Sequence, residues 1–122
     1  MKESFFNDIH YFRIPVNHLE ESLAWYTEIL GFTMRFNKGD LAVLELKSGP
    51  LLVLVKGDED SRGHFTINGK PEFSVGLTSS NIEGLYEYLK NHEVSIEAIQ
   101  HDEGHSFFYF YDPSGNKLQV HN

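Results

Sequence analysis

The chain has 122 residues, 40% hydrophobic and 23% charged, the make-up of one globular domain long enough to bury a core. Its 10 basic and 18 acidic residues leave a formal charge of −8, which repels phosphate backbones and excludes nucleic acid as an expected partner. It has no cysteine, which excludes thiol catalysis, disulfides and thiolate metal sites and fits a cytoplasmic protein.

No apolar run approaches the roughly 20 residues that a membrane span needs. Met1–Ser4 is polar and leads straight toward a strand, which speaks against a signal peptide. Asp8–Val16 reads as that strand, with Phe12, Ile14 and Val16 on one face and Tyr11, Arg13 and Pro15 on the other. Pro15 lacks a ladder N–H and belongs at a strand end or an unpaired edge. Leu19, Leu23, Tyr26 and Leu30 then recur at helical spacing, with Asn17 or His18 as the cap and Gly31 as the stop. Strands follow at Phe32–Asn37, Leu41–Lys47 and Leu51–Lys56. Gly57–Lys70, with Asp58-Glu59-Asp60 and Asn68-Gly69, reads as a solvated linker.

The order then repeats. Glu72–Thr78 is strand-like, and Ser79, Ser80 or Asn81 caps a helix whose apolar positions are Ile82, Leu85 and Leu89. Val94–Ile99 reads as a strand and His101–His105 as a loop. The final hairpin runs from Phe107 to Asn122. The rings at Phe107–Tyr111 leave no polar side for a helix, so they form a strand buried on both faces or lining a cavity. At the turn, Asp112 is placed to accept backbone hydrogen bonds, Pro113 fixes φ, and Gly115 takes a positive φ. In Lys117–His121, Leu118 and Val120 face the core, while Lys117, Gln119 and His121 face away. The expectation is an α+β fold of two paired βαβββ modules, 8–56 and 71–122, joined by a linker at 57–70.

Two stretches carry a family resemblance. They are Val16-Asn17-His18-Leu19-Glu20-Glu21-Ser22-Leu23-Ala24-Trp25-Tyr26 with Ile29-Leu30-Gly31-Phe32, and Phe110-Tyr111-Asp112-Pro113-Ser114-Gly115-Asn116-Lys117-Leu118. With the repeated module, the chain resembles the vicinal oxygen chelate superfamily, which includes glyoxalase I, fosfomycin-resistance proteins, extradiol dioxygenases and bleomycin-resistance proteins. The resemblance implies a curved mixed sheet around a cavity, commonly built from paired chains, so a homodimer is expected. It also implies metal-ligand positions. The first-strand histidine of the metal enzymes falls at Tyr11, the histidine opening the second module at Glu72, and the last-strand glutamate at Gln119. A phenol is a poor divalent ligand until ionised, near pH 10, and an amide offers no charge. Such a site normally takes three or more strong donors.

The candidate substrate-binding group is Tyr11, Arg13, Glu72, Tyr109, Gln119 and His121. It supplies aromatic walls, a cation, a carboxylate and an amide, which suit a small organic ligand. The plainer alternative is an Arg13–Glu72 ion pair across the sheet, with tyrosines as packing. His101 and His105, four apart, are read as a solvated turn, and His64 and His92 as surface residues. No metal or other cofactor is expected, and no catalytic residue is assigned. The expected function is that of a glyoxalase- or bleomycin-resistance-like binding protein. The alternative is a divalent-metal-dependent lyase or thiol transferase of the glyoxalase I or fosfomycin-resistance type, with His121 joining the site.

Overall fold

The alternation in the first strand is borne out at Ile14 and Val16, though not at Phe12, which is 41% exposed, in a computed structural model that describes residues 3–122. In β1 (Tyr11–Val16), Ile14 and Val16 are buried while Tyr11 and Arg13 are exposed. The strand starts at Tyr11, not Asp8. Met1 and Lys2, part of the polar start read against a signal peptide, lie outside the described residues. No helix among them is long and apolar enough to cross a membrane.

Helix α1 (Leu19–Ala24) continues as one π-helical stretch, Trp25–Ile29, and buries Leu19, Leu23 and Tyr26. His18 is its N-cap, without a side-chain capping bond. The Asn17 N–H donates instead to Ser114 Oγ, at 2.8 Å. Next come β2 (Thr33–Asn37), β3 (Leu41–Glu45) and β4 (Leu51–Lys56), giving a mixed sheet in the order β1-β4-β3-β2. β1 is an edge strand, which accommodates Pro15.

The linker is more ordered than its composition indicates. β5 (Phe65–Ile67) and β6 (Lys70–Glu72) form a hairpin, so the solvated-linker reading is corrected for its second half. The Asn68-Gly69 pair turns it with φ of 52° and 78°, positive at both positions as a tight hairpin requires. Because this hairpin takes Pro71 and Glu72, the strand read as Glu72–Thr78 shortens to β7 (Gly76–Thr78).

Helix α2 (Ile82–Asn91) is capped by Asn81, whose Oδ1 accepts from the Gly84 N–H at 3.0 Å. The segment read as a strand over Val94–Ile99 touches the sheet at a single bridge, Ile96 to Phe110. The regular strand lies further on, in β8 (Gln100–Asp102), overlapping the stretch read as a loop, His101–His105. β8 and β9 (His105–Tyr111) form a hairpin around Glu103 and Gly104, and β10 (Lys117–His121) completes the sheet β7-β10-β9-β8. The two sheets therefore correspond strand by strand, each with one parallel edge pair.

The shared core lies between the sheets and the helices. Tyr26, Leu44, Leu54, Leu89, Phe108, Phe110, Leu118 and Val120 are all essentially inaccessible. Trp25 meets Phe110 with ring centroids 6.5 Å apart, so the first module's helix packs on the second module's sheet. The Tyr88 hydroxyl donates to the Ile29 carbonyl at 2.8 Å and ties the two helices together.

Asp112 joins the modules. Its Oδ1 accepts from the Ser114 and Asn116 N–H groups, both at 2.9 Å, as the sequence indicated. Its Oδ2 accepts from the Tyr26 hydroxyl at 2.7 Å and from Asn116 Nδ2 at 2.8 Å. Burial, then the Asp112 charge, holds the Tyr26 phenol well above its ordinary pKa, so it remains the donor. Asn116 Nδ2 also donates to the Pro15 carbonyl, and its Oδ1 accepts from the Gly63 N–H at 2.6 Å. Gly63 must be glycine for this approach, since a Cβ there would stand 2.6 Å from Ile14 Cγ2. Tyr26→Phe should lower stability by about 1–3 kcal/mol, and Asp112→Ala by more, because the latter strands four buried donors. Urea unfolding of the three proteins checks this; equal midpoints would refute it.

Candidate binding site

The face of the first sheet opposite its helix carries a cavity of about 470 Å³. Strand register builds it. Arg13 pairs with Val53, Val53 with Val43, and Val43 with Phe36, so one row runs from a guanidinium over an apolar floor to an aromatic ring. Tyr11, beside Leu51, supplies the wall next to Arg13. A bulge between Met34 and Phe36 lets Arg35 line the cavity next to Phe36, and Lys38 and His10 stand at its margin. Tyr11 is 51% and Phe36 45% exposed, so these rings form an open half-site. Every residue lining the cavity comes from the first module.

The second sheet presents the matching face. Gln119 pairs with Tyr109, His121 with Phe107, and Lys117 with Tyr111, and all six are half-buried. The aromatic run is thus split: Phe108 and Phe110 enter the core, while Phe107, Tyr109 and Tyr111 line this face. Phe73 packs against Tyr109 with centroids 5.8 Å apart. The Tyr111 hydroxyl donates to Glu97 at 2.6 Å; burial first, then that carboxylate, pushes its pKa up to about 12.

The six predicted residues are thus divided. Tyr11 and Arg13 line the cavity of the first module, and Tyr109, Gln119 and His121 share the second module's face. Glu72 belongs to β6, where it pairs with Phe65. Among the described residues Arg13 and Glu72 make no ion pair, so the plainer cross-sheet reading is not what the side chains do. Sequence reasoning missed Lys117, Arg35, Lys38 and Phe36. Lys117 Nζ sits 4.3 Å from the Tyr109 ring centroid, 3.1 Å from the Pro71 carbonyl and 3.8 Å from Glu97. The alternation of the last strand already placed it beside Gln119. The bulge that turns Arg35 inward leaves no mark in the residue pattern.

No group of three His, Asp or Glu side chains among the described residues stands close enough to hold a metal ion. Tyr11, Glu72 and Gln119 lie in β1, β6 and β10, and of the three only Glu72 is a strong donor, fewer than the three or more that a divalent centre normally takes. His101 and His105 flank the β8–β9 turn, and His101 Nδ1 lies 2.8 Å from Ser106 Oγ.

Comparison with known proteins follows the same architecture. Residues 8–120 match the model of the Glyoxalase/Bleomycin resistance protein/Dioxygenase superfamily. A glutathione transferase FosA from Serratia marcescens is 28% identical over 121 residues, spanning 93% of this chain and 79% of the relative. An integron cassette protein from the mobile metagenome of the Halifax Harbour sewage outfall superposes with a TM-score of 0.74 at 25% identity, covering 95% of this chain and 98% of the other. TnmS3, an antibiotic binding protein from Streptomyces sp. CB03234, superposes with a TM-score of 0.77 at 18% identity, covering 97% of each chain.

His64 is a correction to the surface reading. It is half-buried, and its Nδ1 accepts the Lys117 backbone N–H at 2.9 Å. Protonation at Nδ1 would break that bond. Burial lowers the His64 pKa, the charges of Arg62 and Lys117 lower it further, and Asp112 opposes them. The fold therefore favours neutral imidazole, and its contribution is complete above the ordinary histidine value of about 6.5. The contribution falls away as pH drops below that value toward the lowered folded pKa, because the unfolded chain binds the proton first. His64→Leu should reduce the loss of stability between about pH 6.5 and 5 relative to the parent. Denaturant midpoints of both proteins across that range measure it; parallel profiles would show that His64 carries none of the dependence.

Proposed function

The chain belongs to the Glyoxalase/Bleomycin resistance protein/Dioxygenase superfamily, and on that premise we propose that it binds a small organic molecule in its sheet cavity without a catalytic metal. The observation that carries this reading is the half-site itself: Tyr11 and Arg13 at one end of an apolar floor, with all walls from one module. The face carrying Tyr109, Gln119 and His121 is the complementary wall, supplied by a second copy of the chain in a homodimer, and Glu72 is a further candidate contact to the ligand there. The exposed rings of Tyr11 and Phe36, and Phe5, Phe6 and Ile9 on the preceding segment, provide apolar surface for such an assembly. Sequestration is the role this arrangement supports, in the cytoplasm. An antibiotic-binding relative of the same fold is in keeping with it.

A second reading draws on the FosA relative at 28% identity. In it the chain is a divalent-metal-dependent lyase or thiol transferase, with Glu72, His121 and Gln119 brought together by dimerisation. Tyr11 and Gln119 stand where the metal enzymes carry stronger ligands, and this favours the binder.

A screen of small aromatic and polar compounds by thermal unfolding should yield a ligand with a saturable upward shift. Tyr11→Ala and Gln119→Ala should each weaken its binding about tenfold or more, a loss of roughly 1.4 kcal/mol or above. Sedimentation equilibrium should give a dimer. Affinity unchanged by both substitutions, or a monomer binding with full affinity, would refute the shared cavity.

A further inference from the structure

The charges around the first-module cavity run against those of the whole chain. The chain carries 18 acidic and 10 basic residues. Yet Arg13, Arg35 and Lys38 line the cavity, and no Asp or Glu does. Resting on the binding role proposed above, we infer that the ligand is an organic anion: a flat apolar or aromatic body bearing a carboxylate or a similar planar oxyanion.

Distance decides which charges matter. At physiological ionic strength the screening length is about 8 Å, so carboxylates beyond it act weakly here and the local balance is set by the lining cations with Glu45 beside Arg35. The cations are also available. Arg13 makes no salt bridge among the described residues. Arg35 reaches only Glu45, at 4.0 Å, with both side chains about half exposed. Such a pair is loosely held and contributes little. Lys38 lies 5.8 Å from the Phe36 ring centroid and can turn from it at small cost. A guanidinium presents parallel N–H donors that match a carboxylate edge, which a lysine cannot do.

The rest of the row fixes the ligand's other end. From Arg13 the floor continues through Val53 and Val43 to Phe36. None of these side chains can hydrogen-bond, so a second polar group placed there would be desolvated without a partner. The apolar body therefore lies along the valines. The Phe36 end carries Arg35 and Lys38, but Arg35 is shared with Glu45, so the unpaired Arg13 guanidinium fixes the anion at the Tyr11–Arg13 end. Glu72, the one acid in the predicted group, lies outside this lining.

The test uses three probes that share a naphthalene body and differ in charge: 2-naphthoate, 2-naphthalenemethanol and 2-naphthylmethylammonium, each titrated calorimetrically into the full chain. Naphthoate should bind about tenfold or more tighter than the alcohol, and the ammonium more weakly still. The preference should shrink as salt is raised, and Arg13→Gln should abolish most of it. Equal binding of alcohol and naphthoate, or tighter binding of the ammonium, would overturn the inference and leave the cavity reading standing. So would an anion preference that survives both Arg13→Gln and Arg35→Gln. Binding of none of the three would overturn both.

Discussion

One buried carboxylate holds the two modules in register. Asp112 collects the Tyr26 hydroxyl from the first module's helix and three N–H donors from its own turn. Asn116 extends the network to Pro15 and Gly63, and Ser114 to Asn17. The turn that closes the last hairpin is therefore also the clamp on the first strand, the linker and the start of α1. An acid at 5% exposure is tolerable only because every donor around it is aimed at its oxygens. With this clamp set, the helices share one core, and both sheets keep their other faces free for chemistry.

Those free faces have different characters. The first is apolar at its floor and basic at its rim. The second is aromatic, with an amide, a histidine and a lysine held over a tyrosine ring. Neither is a complete binding site. On the resemblance drawn from the sequence, Tyr11 and Gln119 stand where metal enzymes of the superfamily carry a histidine and a glutamate, a phenol and an amide in place of stronger ligands. On the proposed reading the same scaffold serves recognition by shape and charge, in keeping with one fold supporting unrelated functions.

Much of this was legible in the sequence. The period change from Asp8–Val16 to Leu19–Leu30, repeated at Glu72–Leu89, exposed the duplication, and the Asp112–Asn116 turn announced its own geometry. The alternation of Lys117–His121 placed Gln119 and His121 on one face. Other features were hidden because they depend on tertiary partners. The Asn68-Gly69 turn was visible, but its flanks are polar and short, so the hairpin passed for solvated linker. Gln100–Asp102 has no apolar alternation and is a strand only because β9 pairs with it. His64 reads as a surface residue until the last strand brings the Lys117 N–H to its ring. The bulge that places Arg35 on the cavity is set by the pairing of β2 with β3, which no local pattern records.

The central claim is recognition without a bound metal, and thermal unfolding tests it most directly. Untagged protein, stripped with a chelator, would be unfolded with Mn²⁺, Ni²⁺, Co²⁺ or Zn²⁺ added singly. A metal at about 100 times its dissociation constant would stabilise the native state by roughly 2.7 kcal/mol, a rise of several degrees for a chain of this size. The account predicts no saturable rise with any of the four. A saturable rise with one of them, lost in Glu72→Ala, would contradict it and establish a metal centre assembled around that carboxylate.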